Sequence, residues 1–210
     1  EPQVHGSLRE QGQWPKYLAD DCEKILGDVR DRDTLCQAVV GVDVIFHQAA
    51  AVGVAQSMYE IERYVDANTR ATAVLLDVLA NARHSVRRLI VASSMSIYGE
   101  GKYHCAEHGD IYPKLRTKEQ LLAQDWETHC PICGQSAGAL PTDEDKPLYP
   151  TSIYAITKRD QEEMCLVAGR AYGIPTVALR FFNVYGPRQA LGNPYTGVAA
   201  IFSTRLLNGN

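Results

Sequence analysis

From about residue 23 onward, apolar positions gather into short continuous runs that alternate with stretches of helical spacing. That alternation predicts a parallel sheet flanked by helices. Strands are predicted at residues 25–28, 42–50, 88–92 and 175–182, and the run Val-Asp-Val-Ile-Phe-His-Gln-Ala-Ala from Val42 is nearly unbroken, as in a strand covered on both faces. Helical spacing covers Asp31 to Val40 and a long segment from the mid fifties to Arg83, with Ala, Val and Leu on one stripe. A further helix carries Tyr154 and Lys158, capped by Thr151 or Ser152 and ending near Tyr172-Gly173. A last helical pattern begins near Thr196 or Gly197.

Between Tyr98-Gly99 and Pro147 the periodicity fails for nearly fifty residues, which hold charges, prolines, glycines and three of the six cysteines. This stretch is expected to be an insertion without a sheet element. Composition alters little in this picture. With 45% hydrophobic and 22% charged residues the chain is globular in character, and a net charge of −4 argues against a nucleic-acid surface spread over the whole molecule. There is no run of eighteen apolar residues and no basic segment followed by an apolar one at the start, so neither a spanning helix nor a signal peptide is expected. A soluble, cytoplasmic protein is the default reading, and six cysteines are too sparse for a secreted disulfide framework.

The candidate chemistry begins with Tyr154 and Lys158. Residues four apart share a helix face, so the Lys158 ammonium is expected beside the Tyr154 phenol, lowering its pKa from near ~10 toward that of a usable base. Such a pair also arises by chance as a surface tyrosine beside a solvated lysine. The strand at Arg88 delivers Ser93 and Ser94 to its carboxyl end, where open parallel sheets bind their ligands. Any one of these serines could instead make a strand-end hydrogen bond to backbone.

Six segments in order carry a resemblance: Gly27-Asp-Val-Arg-Asp, His47-Gln-Ala-Ala, Asp66-Ala-Asn-Thr-Arg-Ala-Thr, Ser93-Ser-Met-Ser-Ile-Tyr-Gly, Tyr154-x-x-x-Lys158, and Leu179-Arg-Phe-Phe-Asn-Val-Tyr-Gly-Pro-Arg. Together they resemble the extended short-chain dehydrogenase/reductases, and within them the nucleotide-sugar epimerases and dehydratases. The resemblance implies a Rossmann-like, doubly wound α/β fold with NAD and a UDP- or dTDP-linked sugar as ligands. Asp28 then resembles the acceptor for the adenine amino group, with Val29 against the ring; Asp28 or Asp31 could equally cap the following helix. Gln48, Ala49, Ala50 and Val52 resemble the stretch under the ribose and pyrophosphate. Asn68 is placed among the cofactor residues, resembling a helix asparagine that steadies the neighbouring strand ends; it could equally be a partly exposed helix residue. Ser93 belongs to the cofactor side, Phe182 resembles the nicotinamide contact or is plain core, and Asn183, Ser96 and Arg188 fall on the substrate side. Ser94, Tyr154 and Lys158 are the implied catalytic trio, Tyr154 taking a sugar hydroxyl proton while Ser94 holds the carbonyl oxygen and Lys158 the nicotinamide ribose. In the 4,6-dehydratases an Asp-Glu pair follows the catalytic hydroxyl. Here those residues are Met95 and Ser96, which favours a 4-epimerase. Other readings are a UDP-glucuronate epimerase or decarboxylase, or a non-catalytic dinucleotide sensor. A homodimer through the helices near residues 60–80 and 153–172 is a further implication.

In the insertion, Cys105-Ala-Glu-His108-Gly and Cys130-Pro-Ile-Cys133-Gly are separated by twenty-one residues. The paired spacing resembles zinc knuckles closing a structural site, against free surface thiols; His104 or His129 could replace His108. This insertion and the run Asn193-Pro-Tyr-Thr-Gly-Val-Ala-Ala-Ile-Phe are similar to a bacterial subgroup, the dTDP-L-rhamnose 4-epimerases.

The family's glycine-rich phosphate loop, first strand and most of its smaller substrate domain have no counterpart in the sequence. The expectation is an internal fragment of a longer protein, binding NAD poorly and inactive by itself. Its parts would be a partial NAD-binding domain at 1–99, the insertion at 100–147, the domain's continuation with the catalytic helix at 148–190, and the start of the substrate domain at 191–210.

Overall fold

The computed structural model describes residue 14, residues 18–187 and residues 198–209, with backbone only at 198–200. Its main sheet is three-stranded and parallel, built from β1 (Val44–His47), β2 (Arg88–Ser94) and β6 (Thr176–Phe181) in the order β1-β2-β6. Register pairs Phe46 with Ile90 and Val91 with Ala178, and sets Ser94 beside Phe181 at the carboxyl edge. Helices α1 (Arg32–Ala38), α4 (Ala71–Asn81) and α6 (Ile153–Tyr172) cover one face. There Leu75, Leu79 and Cys165 pack on Leu89 and Val91, with Leu35, Ile45 and Ala178 at the margin. On the opposite face Val44, Phe46, Val177 and Leu179 are exposed among the described residues, as the two-residue period of a strand requires when only one side is covered. The architecture is the truncated Rossmann-like α/β sheet that the sequence predicts.

Three expectations need correction. Residues 25–28 form no strand, and Leu26 is 79% exposed; β1 has no neighbour on its outer side among the described residues, so no ladder exists for them to join. The long helix is not continuous. It comprises α2 (Val54–Ser57), a break, α3 (Ile61–Tyr64), a π-helical turn Val65–Arg70 and then α4. The insertion does contain a sheet, an antiparallel one of β3 (Lys102–Cys105), β4 (Gly109–Ile111) and β5 (Gly138–Leu140) in the order β4-β3-β5, with the short helix α5 (Lys118–Leu122) between. At three or four residues each, these strands fall below the length that shows a period.

The insertion leaves and rejoins the body at one place. After β2 the chain makes a 3₁₀ turn, Met95–Tyr98, and Gly99 follows with φ of 71°. A Cβ on Gly99 would lie 2.3 Å from the Tyr149 carbonyl oxygen, so only glycine permits this crossing. The Tyr149 N–H donates to Ile97 O at 3.0 Å, and the buried Lys146 ammonium donates to Tyr98 O at 2.7 Å and Pro147 O at 2.9 Å. From there the chain enters α6, where Ser152 Oγ accepts from the Ala155 N–H. A last helix, α7 (Val198–Leu207), follows the region where one was predicted.

Candidate active site

The carboxyl edge of β2 and the first turns of α6 bound a cavity of roughly 460 Å³ lined by Gln48, Ala50, Val52, Ala92, Ser93, Ser94, Tyr154, Lys158, Phe181, Phe182 and Val184. Ser94, Tyr154 and Lys158 thus meet at one surface, as their spacing predicts. Each is positioned by its element. Ser94 caps the 3₁₀ turn, accepting from the Ser96 N–H at 3.2 Å and from the Ser96 hydroxyl at 2.8 Å, which leaves its own hydrogen free to donate. The Tyr154 ring is held edge-on by the buried Tyr64, centroids 6.4 Å apart, and the Tyr154 N–H donates to Ser57 Oγ at 2.9 Å.

Lys158 Nζ donates to Ala92 O at 2.7 Å and to Gln161 Oε1 at 2.9 Å. Burial depresses this ammonium to about 8. The expected lowering of the phenol by Lys158 is corrected here: burial pushes Tyr154 above the ordinary phenol value, and only the Ser94 hydroxyl draws it back. The physical reason is that desolvation acts on the whole phenol, while the Lys158 ammonium is spent on a carbonyl and an amide.

Behind Lys158 runs a buried polar network that sequence reasoning missed. Gln161 Nε2 donates to Thr72 Oγ1 at 2.8 Å, and Thr72 donates to Asn68 O at 2.8 Å. Thr72 has therefore given its hydrogen away, so His47 Nε2, 2.8 Å from the same oxygen, carries the proton. Burial and the Lys158 charge hold His47 down at about 4, so it is neutral at pH 7. The available signals were a histidine inside an apolar strand and a glutamine three positions after Lys158 on the same helix face.

The other candidates sort as follows. Val29, Gln48 and Ala49 line a second cavity of roughly 200 Å³ that shares Gln48 with the first, so the two form a track past the end of β1. Asp28 sits in the loop before α1, its carboxylate held at about 2 chiefly by the Arg30 guanidinium, and the cap of α1 is Asp31. Asn68 is corrected from a cofactor contact to a positioning residue, because it is fully buried and its amide is used by Ala51 and Thr157. Val52 and Phe182 are on the cavity rim, 50% and 60% exposed, so Phe182 is not core. Asn183 is exposed and does not line the cavity, though Phe182 and Val184 on either side of it do. Ser96 acts on Ser94, and Arg188 lies outside the described residues.

In the insertion, the Cys105, Cys130 and Cys133 sulfurs and a His108 ring nitrogen all lie within 4.8 Å of one another. His108 holds the Cys105 thiol well below its ordinary value. His104 and His129 point elsewhere, to Asp110 and Asp125.

The NAD dependent epimerase/dehydratase family profile matches residues 2–119 and 128–210. The chain belongs to this family. Among its relatives, dTDP-L-rhamnose 4-epimerase of Burkholderia thailandensis is 33% identical over 205 residues, 96% of this chain and 54% of that protein. The UDP-N-acetylglucosamine 4-epimerase of Methanobrevibacter ruminantium M1, solved with UDP-N-acetylmuramic acid, superposes with a TM-score of 0.65 at 29% identity, covering 89% of this chain and 47% of its own. The UDP-glucose 4-epimerase of Brucella ovis, solved with NAD, gives a TM-score of 0.52 at 25% identity over 76% of this chain and 38% of its own. This epimerase/dehydratase chain therefore spans about half the length of the relatives it matches. One observation tests whether its residues suit the family's cofactor: Ser93 lines the cavity together with Lys158, and its Oγ is buried without any hydrogen-bond partner. An unpartnered hydroxyl there fits a ligand rich in hydroxyls and phosphates. No helix among the described residues is long and apolar enough to cross a membrane.

Proposed function

We propose that the full-length protein is a nucleotide-sugar 4-epimerase that uses NAD on a UDP- or dTDP-linked sugar. The observation that supports this best is the composition of the cavity: Ser94, Tyr154 and Lys158 converge there, and among the described residues Lys158 is the only charged one lining it. Elimination of water needs an acid and a base close to the hydroxyl, and the positions after Ser94 are Met95 and Ser96. Reversible oxidation of one carbinol carbon needs a single group that takes the hydroxyl proton and returns it, and Tyr154 is enough for that.

When bound, NAD supplies the acceptor and donor of the hydride. The chain's own residues do the rest. Tyr154 receives the proton of the sugar 4-hydroxyl and returns it. Ser94, already accepting two hydrogen bonds from Ser96, turns its remaining hydrogen toward the developing carbonyl oxygen. Lys158, with two of its three hydrogens held by Ala92 O and Gln161, has one left that would hold the cofactor ribose. Val29, Gln48, Ala49, Ala50 and Val52 follow the dinucleotide, with Phe182 at its nicotinamide end and Asn183 and Arg188 on the substrate side. Residues 1–99 and 148–190 form the NAD-binding part, 100–147 the insertion and 191–210 the start of the substrate domain. The insertion carries a structural zinc, and the protein works as a cytoplasmic homodimer.

The test is turnover of the full-length protein on a panel of UDP- and dTDP-sugars. Interconversion of C4 epimers without loss of water or carbon dioxide is expected, with Tyr154→Phe lowering kcat by at least about a hundredfold. Undiminished turnover in that variant removes Tyr154 from the chemistry. Release of carbon dioxide from a uronic-acid substrate would instead favour a decarboxylase, the activity named for a 28% identical relative from Bacillus cytotoxicus.

A further inference from the structure

The insertion has too little apolar material to hold itself together. Its buried cluster consists of Cys105, Ile111, Cys130 and Ala137, with Tyr103 and Cys133 packed against it, so half of the buried residues are thiols. A module of some forty residues on a core this small ordinarily needs a disulfide or a metal. The thiols are not bonded to each other: Cys105 Sγ and Cys133 Sγ are 3.6 Å apart, against about 2.05 Å in a disulfide.

That separation has another meaning. A tetrahedral zinc with Zn–S near 2.3 Å and Zn–N near 2.0–2.1 Å has S–S edges of about 3.8 Å and S–N edges of about 3.6 Å. Three of the six edges are 3.6 Å for Cys105–Cys133, 3.6 Å for Cys105 to His108 Nδ1 and 3.7 Å for Cys130 to His108 Nδ1, and the other three lie within 4.8 Å. The backbone is shaped for it twice over. Each ligand pair is followed by a glycine in the left-handed region, Gly109 at φ 68° and Gly134 at φ 74°, and the Gly134 N–H donates back to Cys130 O at 2.9 Å. The two turns thereby present their ligands to one point from facing knuckles. The neighbouring histidines are excluded by geometry: His104 Nδ1 is 3.1 Å from Asp110 and His129 Nε2 is 2.6 Å from Asp125.

We infer that Cys105 Sγ, His108 Nδ1, Cys130 Sγ and Cys133 Sγ form one closed tetrahedral site for a thiophilic divalent cation, zinc, and that this site is the true core of the insertion. The inference rests on the zinc reading of the insertion and adds His108 Nδ1 as the fourth ligand atom in place of His104 or His129, and the site's role as the insertion's core. Four protein ligands leave no position for water, and the cluster lies apart from Ser94, Tyr154 and Lys158, so the metal braces and does not catalyse.

Metal content and cobalt(II) spectroscopy of the purified full-length protein test it. One equivalent of zinc is expected, retained in His104→Ala and His129→Ala and lost in Cys130→Ser. Replacement by cobalt(II) should give the intense visible bands of a tetrahedral thiolate site. Should Cys130→Ser fail to fold, His108→Cys answers the same question, because it keeps four ligands and should hold cobalt(II) with the spectrum shifted toward an all-sulfur set. A parent protein that contains no zinc and takes up none, or that shows a Cys–Cys disulfide by mass spectrometry, overturns the zinc reading itself. Zinc that is lost from His104→Ala or His129→Ala but kept in His108→Ala overturns only the ligand set, and a weak six-coordinate cobalt spectrum overturns only the closure.

Discussion

The carboxamide of Asn68 closes a ring of two hydrogen bonds on the backbone of Ala51: Oδ1 accepts from the Ala51 N–H at 2.7 Å and Nδ2 donates to the Ala51 carbonyl at 3.1 Å. Nδ2 also reaches Thr157 Oγ1, at 2.9 Å, on the helix that carries Tyr154 and Lys158. One fully buried amide, placed by a π-helical turn of the kind that recurs at functional sites, therefore joins the loop after β1 to α6. Asn68→Ala strands a buried N–H and carbonyl, so a loss of about 2–4 kcal/mol in chemical denaturation is expected. Asn68→Asp sets a buried carboxylate oxygen against the Ala51 carbonyl and should cost at least as much as the alanine.

Lys158 sets a pH dependence. The folded ammonium releases its proton near 8 and the unfolded one near 10.5, so between those values the folded chain holds fewer protons and gains stability as pH rises. Function should move the other way. In the full-length protein, NAD affinity is expected to fall as pH passes above about 8, following the loss of the cation, and Lys158→Met should bind weakly with no such limb. Titration calorimetry across pH 7–9.5 reads both; a parallel pH dependence in Lys158→Met would show that another group is responsible.

His47 works at the acid end. Its folded pKa of about 4 lies below the ordinary 6.5, so its contribution is complete above 6.5 and is lost as pH falls through that interval. The loss amounts to at most about 3 kcal/mol. Thermal unfolding of His47→Gln is expected to show a flatter acid limb between pH 6.5 and 4 than the parent. Equal slopes would move the acid sensitivity to the carboxylates.

Gly99 tests the crossing beneath the insertion. With φ of 71° and a Cβ that would meet the Tyr149 carbonyl at 2.3 Å, Gly99→Ala must displace either the 3₁₀ turn or the returning strand. A destabilisation of about 1–3 kcal/mol is expected. Because the turn begins at Ser94, kcat in the full-length protein should drop while NAD affinity holds.

Much of this was legible in sequence where one interaction dominated. The apolar runs around Ile90 and Ala178 could only be buried strands, and Ser152 in front of Tyr154 is a cap by its chemistry alone. Elsewhere the deciding partner is distant in the chain. Tyr154 and Lys158 share a helix face, yet what governs the lysine is Ala92 O, sixty-six residues away, and no local spacing reveals it. His47, Thr72 and Gln161 form a unit only after β1, α4 and α6 pack together. The insertion's strands are too short for a period to emerge, whereas its four metal-type ligands stood out because cysteine and histidine announce chemistry independently of secondary structure.

The meeting of Gly99 and Tyr149 also makes the insertion modular in the engineer's sense. Since the Tyr149 N–H is already bonded to Ile97 O at 3.0 Å, the polypeptide between them is a detour that begins and ends at the same spot. If Glu144, whose carbonyl accepts from Arg180 of β6 at 2.9 Å, is kept with Lys146 and Tyr149, the segment from Gly101 to Asp143 is a cassette position, where a short turn or a foreign domain with neighbouring ends could be spliced without shifting Ser94 relative to Tyr154.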